Sequence, residues 1–269
     1  MFNTTIATQI YAKICFEATN SQKKIIENLS EYLSDDDFSR IFVLNGFAGT
    51  GKTTLIAALV AALKELRIKP VLLAPTGRAA KVLARYCGEQ ALTIHKRIYR
   101  QRTNADYESK FSLDFNREQG AVFIVDEASM LSDSTGDGAL FGSGSLLEDL
   151  VSYVRSGRSC RLILVGDSAQ LPPVGCDFSP ALDPATVSRY GEVVYGLMDE
   201  VVRQQMQSGI LFNATLVRCM LENRIYEIPK FEMDYPDFES VEGGDFMEKL
   251  QDAFDRYGRD EVIVITRSN

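Results

Sequence analysis

One stretch of the chain has the residue types and spacing of a polyphosphate cradle. Residues 41–44 are a short β-branched and apolar run that leads into Gly46-Phe-Ala-Gly49-Thr-Gly51-Lys52-Thr53, a match to G-x-x-x-x-G-K-[ST]. An apolar, helix-forming run at residues 55–63 follows directly. Strand, loop and helix is the context such a motif requires. Glycines let backbone N–H groups turn inward, and the helix N-terminus adds the positive end of its dipole, so phosphates can sit there. Lys52 then reaches the β and γ phosphates, and the Thr53 hydroxyl ligates Mg²⁺. This spacing predicts a nucleoside triphosphate site.

Two more strand-like runs end in polar groups. Val122-Phe-Ile-Val125 runs into Asp126 and Glu127. Alone, such a pair reads as a charge pair at a helix N-terminus. Beside a phosphate loop, the first acid suits a magnesium shell and the second can orient or deprotonate an attacking water. Leu162-Ile-Leu-Val165 is followed by Gly166-Asp-Ser-Ala-Gln170-Leu-Pro-Pro173. Gln170 can report on the γ-phosphate or the water, or can belong to a surface turn before the double proline.

Placing these groups together takes a layered α/β framework. Ile6, Ile10 and Ile14 recur every four residues, as on an amphipathic helix. A second helix carries Ile25, Ile26, Leu29, Tyr32 and Leu33, with Thr19, Asn20 or Ser21 as its N-cap and the acidic residues 35–37 ending it. Residues 70–74, 121–125 and 161–165 read as buried strands alternating with helical segments, which predicts a parallel sheet with helices on both faces. Ligands in such sheets bind at the C-terminal strand ends, where every motif above falls. Period-two spacing of Tyr107, Ser109, Phe111, Leu113 and Phe115 behind a polar turn predicts a small hairpin within residues 96–118. Residues 132–145, with Gly136, Gly138, Gly142 and Gly144, read as a mobile loop. Beyond Asn223 the composition turns acidic, and the chain ends just after a further expected strand at 261–266, as the N-terminal portion of a longer protein would.

Composition narrows the class. The 269 residues suffice for one large or two small domains, and 45% apolar with 25% charged residues is ordinary for a globular protein. A net charge of −8 argues against an overall basic surface and against membrane-surface binding, while leaving room for a local basic groove. Cys15, Cys87, Cys160, Cys176 and Cys219 lack C-x-x-C spacing, and His95 is the one histidine, so reduced thiols in a cytoplasmic protein are expected and a zinc site is not. The longest apolar run is far too short to span a bilayer, and Lys13 interrupts any signal-peptide pattern.

Taken in order, the phosphate loop, Ala74-Pro-Thr-Gly-Arg-Ala-Ala80, Thr93-Ile-His95, Asp126-Glu-Ala-Ser-Met-Leu131 and Gly166-Asp-Ser-Ala-Gln-Leu-Pro-Pro173 resemble the RecD-like branch of superfamily 1 DNA helicases. Val202-Arg203-Gln204 and Ile265-Thr-Arg-Ser-Asn269 are similar to that branch as well. The resemblance implies a P-loop NTPase fold of RecA-like, three-layer type. Residues 1–225 would be a first motor domain with the hairpin inserted, and residues 226–269 a linker with the first strand of a second RecA-like domain. It implies ATP and Mg²⁺ at Gly46, Ala48, Gly49, Thr50, Gly51, Lys52, Thr53 and Thr54, with Gln22 reading the adenine. Asp126 becomes the magnesium carboxylate together with Thr53, Glu127 the water activator, Gln170 the γ-phosphate sensor, and Arg203 an arginine approaching the γ-phosphate. Pro75, Thr76, Arg78, Lys81, His95 and Lys96 fall in segments that in the family lie along single-stranded DNA. By itself His95 reads more often as a packed or turn histidine.

The charge distribution agrees. Between positions 77 and 102 stand seven basic residues, Arg78, Lys81, Arg85, Lys96, Arg97, Arg100 and Arg102, against Glu89 alone. Tyr86 and Tyr99 interleave them, which suits phosphate contacts with base stacking. The hairpin stands where similar helicases insert a duplex-splitting domain, and it is short. Lacking most of a second RecA-like domain and its arginine finger, the piece is expected to hydrolyse ATP weakly. Two other readings remain open: another P-loop enzyme such as a kinase, and a nucleotide-binding module that works only with a partner chain. DNA-stimulated hydrolysis separates the first, and the effect of Lys52→Ala in the full-length context the second.

Overall fold

The strand that leads to the phosphate loop is buried along its whole length, because apolar side chains alternate to both of its faces. In the computed structural model, residues 2–14, 17–103, 109–133, 141–200 and 208–266 are described. The chain divides into two compact units, residues 1–203 and 204–269.

The first unit opens with helices α1 (Phe2–Lys13) and α2 (Asn20–Ser34), then β1 (Ile41–Gly46), α3 (Lys52–Glu65), β2 (Pro70–Ala74) and α4 (Gly77–Cys87). Next come β3 (Ala91–Thr93), α5 (Ile94–Ile98), the pair β4 (Tyr99–Thr103) and β5 (Ser109–Leu113), and β6 (Val122–Val125). Helix α6 (Leu146–Ser156), β7 (Arg161–Gly166), α7 (Pro184–Val187) and β8 (Val193–Met198) complete it. Six strands form an all-parallel sheet in the order β3-β2-β6-β7-β1-β8. The expected α/β, P-loop, RecA-like layering is therefore present.

Two apolar layers hold the sheet. On one face Phe42, Leu44, Ile124 and Ile163 pack with Ile6 and Ile10 of α1, Ile26 and Leu29 of α2 and Leu59 of α3. On the other, Val43, Leu73, Phe123 and Leu164 pack with Leu150 and Val154 of α6 and Val187 of α7. Helix α2 starts where the sequence places it. Thr19 and Gln22 make a reciprocal capping box that satisfies two otherwise orphan N–H groups.

Strands β4 and β5 pair antiparallel, Tyr99 opposite Leu113 and Gln101 opposite Phe111, which is the expected hairpin. Its turn, with Tyr107, lies outside the described residues, as do Gly136 and Gly138 of the glycine-rich loop. Two strands go unanticipated by the sequence reading: the three-residue β3 and the edge strand β8.

The second unit contains α8 (Gly209–Glu222) and α9 (Phe246–Tyr257). Asn213, 3% exposed, ties α8 to the following segment: its amide nitrogen donates to the Glu232 carbonyl at 2.8 Å and its oxygen accepts from the Glu232 N–H at 2.9 Å. Residues 261–266, expected as a strand, make no strand pairing, and Ile263, Val264 and Ile265 are exposed. Among the described residues this unit holds no strand for them to pair with, and an isolated strand leaves its backbone groups to water.

Candidate active site

The phosphate loop takes its shape from two glycines. Gly49 and Gly51 lie at φ 76° and φ 86°, in the left-handed region that costs glycine least. Gly51 is the N-cap of α3 and caps it with no side chain, so the first N–H groups of the helix point into the loop unpaired by a cap. At Gly46 a Cβ would come within 2.9 Å of Lys52 Cγ and 3.0 Å of Met198 Cβ, so the lysine stem lies directly against the strand end.

Lys52 turns back over the loop. Its ammonium donates to the Gly46 carbonyl and, at 3.0 Å, to the Phe47 carbonyl, and stands 3.9 Å from Asp167 Oδ2. Burial lowers its proton affinity, and the charges of Asp167, Glu127 and Asp126 act against that shift. Thr50 is fully buried, with its hydroxyl on the Phe47 carbonyl at 2.8 Å; Thr53 is half-buried, and Ala48 and Thr54 are exposed.

The carboxylates come from neighbouring strand ends. Asp126 and Glu127 follow β6, and Asp167 follows β7, two strands that lie side by side with β1 next to β7. Desolvation raises the proton affinity of Asp126. Desolvation raises that of Glu127 too, and the charge of Asp126 adds to it. Glu127 sits at φ 54° and ψ 37°, a left-handed backbone uncommon for a side chain of this size. Gln170 accepts from the Ser129 hydroxyl at 3.4 Å, two residues past Glu127, so the two motifs meet.

Gln22 is 1% exposed. Its amide oxygen accepts from the Thr19 N–H at 3.0 Å, and its amide nitrogen donates to the Thr50 carbonyl at 2.9 Å. In this arrangement the amide is occupied in fixing the phosphate loop to α2, with a single N–H left for a base. Beside it Asn20, Ser21 and Lys24 line a cavity of about 410 Å³.

Two residues that the sequence reading passed over belong to the site. Asp167, 4% exposed, has the same signal as Asp126, an acid at the end of an apolar strand. Asn45 locks β1 to the loop after β7, donating to the Ser168 hydroxyl at 2.9 Å and to the Tyr195 hydroxyl at 3.0 Å, and accepting from the Ser168 N–H at 3.0 Å.

Of the residues assigned to nucleic acid, Thr76, Arg78, Lys81 and Lys96 are exposed and Pro75 half-buried. The Thr76 hydroxyl also caps α4, accepting from the Ala79 N–H at 3.2 Å. Thr76, Arg78, Val82 and Met130 share a cavity of about 310 Å³ with Asp126 and Glu127. His95 is set apart from this group: it is half-buried among aromatic rings. Arg97 is bound to Glu118 at 2.6 Å. Arg203 lies outside the described residues.

The donor set fits a nucleotide with a divalent cation. Among the described residues no group of three or more His, Cys, Asp or Glu side chains could hold a metal by itself. Thr53, half-buried behind Lys52, and Asp126, at the end of β6, are oxygen donors of the kind Mg²⁺ takes, and would need phosphates and water to complete a shell. No helix of the described residues is long and apolar enough to cross a membrane.

Comparison with known proteins agrees with this geometry. The chain is 30% identical over 154 residues to the ATP-dependent RecD2 DNA helicase of Deinococcus radiodurans, covering 57% of this chain and 19% of that protein. It is 33% identical over 201 residues to the RecBCD enzyme subunit RecD of Mycobacterium tuberculosis, covering 61% of this chain and 32% of that one. The chain thus spans a third or less of these curated relatives. The crystal structure of Pif1 helicase from Bacteroides in complex with ADP-AlF3 and ssDNA shares the fold at a TM-score of 0.50 and 17% identity, over 92% of this chain and 58% of that one. The resemblance to RecD-like helicases read from the motifs is borne out. The AAA domain family (AAA_30) matches residues 17–212, most of the chain, and the chain belongs to that family.

Proposed function

We propose that the chain is the ATP-hydrolysing motor module of a cytoplasmic DNA helicase, coupling ATP turnover to movement along single-stranded DNA. The observation that supports this most is the convergence of Lys52, Asp126, Glu127 and Asp167 at three adjacent strand ends, with Gln170 bonded to Ser129 beside them. Thr53 and Asp126 would hold Mg²⁺, which when bound neutralises phosphate charge as a Lewis acid. Lys52 exchanges its carbonyl partners for the β and γ phosphates. Glu127, whose raised proton affinity suits a base, takes the proton of the attacking water, and Gln170 orients that water. Gln22 acts on the base by fixing the start of α2 beside the loop. Arg203 is assigned to the γ-phosphate, and a second RecA-like domain to the opposite side of the nucleotide. Single-stranded DNA follows Pro75, Thr76, Arg78, Lys81 and Lys96.

Calorimetry of ATP binding tests the site. Lys52→Ala should weaken ATP by about tenfold or more, because a charge-assisted hydrogen bond contributes about 1.5–3 kcal/mol. Equal affinities of the two proteins would remove Lys52 from the site. Hydrolysis that single-stranded DNA fails to stimulate in the full-length protein would favour another class of P-loop enzyme.

A further inference from the structure

A two-stranded hairpin is marginal alone and needs a partner to pack on. Here the partner is the short stretch 141–143 ahead of α6. Phe141 forms an isolated bridge with Phe111 of β5, and the Gly142 N–H donates to the Phe111 carbonyl at 2.9 Å. The Phe141 ring stacks on Phe111, centroids 4.5 Å apart and planes 20° apart. It also meets His95 edge-on at 5.1 Å and Tyr99 at 5.2 Å, while His95 and Tyr99 lie 5.6 Å apart. These separations fall in the range where aromatic pairs attract beyond their buried area.

Asp149 of α6, 5% exposed, secures the cluster. It accepts from the Tyr99 hydroxyl at 2.6 Å and from the Ser143 N–H at 3.0 Å. Gly142 lies at φ 46°, and a Cβ there would stand 1.9 Å from Asp149 Oδ2 and 2.8 Å from Tyr99 Cε1, so only glycine permits this approach. Burial holds the His95 ring below its ordinary proton affinity, which favours the neutral, stacking form.

The connection runs back to the chemistry. Ala128 and Leu131, immediately after Glu127, are fully buried, and Ser129 bonds to Gln170. Asp133 is held by the Ser145 hydroxyl at 3.2 Å and by Arg189 and Tyr190. At the hairpin base, the Asp114 N–H donates to the Ile98 carbonyl at 2.7 Å.

We propose that His95, Tyr99, Phe111 and Phe141 form an aromatic clasp that docks the hairpin on residues 141–143, which Ser145 and Asp133 tie to the segment leaving Asp126 and Glu127, so that nucleotide occupancy is felt at the hairpin. His95 is then a positioning residue of the clasp and not a DNA ligand. The transmission rests on the nucleotide-binding reading above. Docking does not.

Hydrogen exchange of the 269-residue chain, with and without a non-hydrolysable ATP analogue and Mg²⁺, tests both parts. In the wild type the analogue should raise protection at amides 99–103 and 109–113. Phe141→Ala should speed exchange there by about tenfold or more without nucleotide and erase the response to it, while the amides of β6 stay protected and analogue affinity is retained. Phe141→Tyr should restore both. His95→Phe should keep hairpin protection and DNA affinity, and His95→Ala should lose the protection. A wild-type chain that binds the analogue with no change at the hairpin would overturn the transmission alone. Failure to bind the analogue would overturn the nucleotide reading and the transmission with it. Hairpin protection unchanged in Phe141→Ala would overturn the clasp, and His95→Phe that keeps protection but loses DNA would return His95 to the DNA site.

Discussion

The nucleotide end and the basic segment of the first unit handle charge in opposite ways. At the ends of β1, β6 and β7, one ammonium and three carboxylates are largely withdrawn from water, and burial pushes the proton affinities of Lys52, Asp126 and Glu127 toward their neutral forms. Along α4 and α5, Arg78, Lys81, Arg85 and Lys96 stand in solvent. Chemistry at a phosphate needs fixed, poorly solvated groups that change their affinity for protons. The proposed contact with single-stranded DNA needs exposed charge that exchanges with counterions. The left-handed backbone of Glu127 belongs to the first region, where strain is tolerated because the surrounding sheet fixes it.

The sharpest way to break this contrast is to keep the shape and remove the base. In a full-length protein, Glu127→Gln should lower DNA-stimulated ATP turnover by about 10²–10⁴-fold, the usual contribution of general-base catalysis, with ATP affinity nearly retained. Steady-state turnover with parallel calorimetry checks it. Turnover within a few-fold of wild type would put the base elsewhere.

A smaller effect is expected at the basic segment, and there the structure sorts residues the sequence could not. Arg78→Ala with Lys81→Ala should make DNA affinity less salt-dependent. Each lost phosphate contact flattens the log–log slope by about 0.7 on a single strand, so a slope of about −2 to −3 should fall toward about −1. Arg97→Ala should leave the slope unchanged, because Arg97 is paired with Glu118, which Lys69 also holds. Fluorescence anisotropy across a salt series separates the two variants.

That sorting marks where the sequence stops being legible. The shape of the phosphate loop and the placement of Asp126, Glu127 and Gln170 behind strands were readable because they are encoded in local spacing: a glycine at φ 86°, a helix starting at the next residue, an acid at a strand end. The parallel layering was readable because β1, β6 and β7 each carry a run of four apolar residues and are buried along their whole length. Other assignments turned on partners far along the chain. Gln22 looks free in sequence, yet its amide is shared between its own helix cap and Thr50. Arg97 and Lys96 are adjacent and alike in sequence, but only Arg97 finds Glu118. The rings around His95 come from three separate segments, so no periodicity gathers them. Residues 261–266 have the composition of a strand, but a strand is a pairing, and among the described residues their unit offers none.

The smallest expected effect comes from the charge penalty itself. The proton affinities of Asp126 and Glu127 are both raised, so over the window above the ordinary carboxylate range the folded chain binds more protons than the unfolded one. Unfolding free energy then falls as pH rises through that window, because its slope follows protons bound unfolded minus protons bound folded. At neutral pH these two groups therefore cost stability, and at lower pH the cost disappears. Glu127→Gln removes the share of Glu127 and also relieves Asp126 of a neighbouring negative charge. The variant should melt slightly above the wild type near neutral pH, and the gap should close as pH drops into the ordinary carboxylate range. Melting curves of both proteins at matched ionic strength read this directly. A gap of constant size as the pH is lowered would mean that Glu127 is solvated like any surface carboxylate, and the distinction between a desolvated cluster at the strand ends and a solvated basic segment would lose its electrostatic basis.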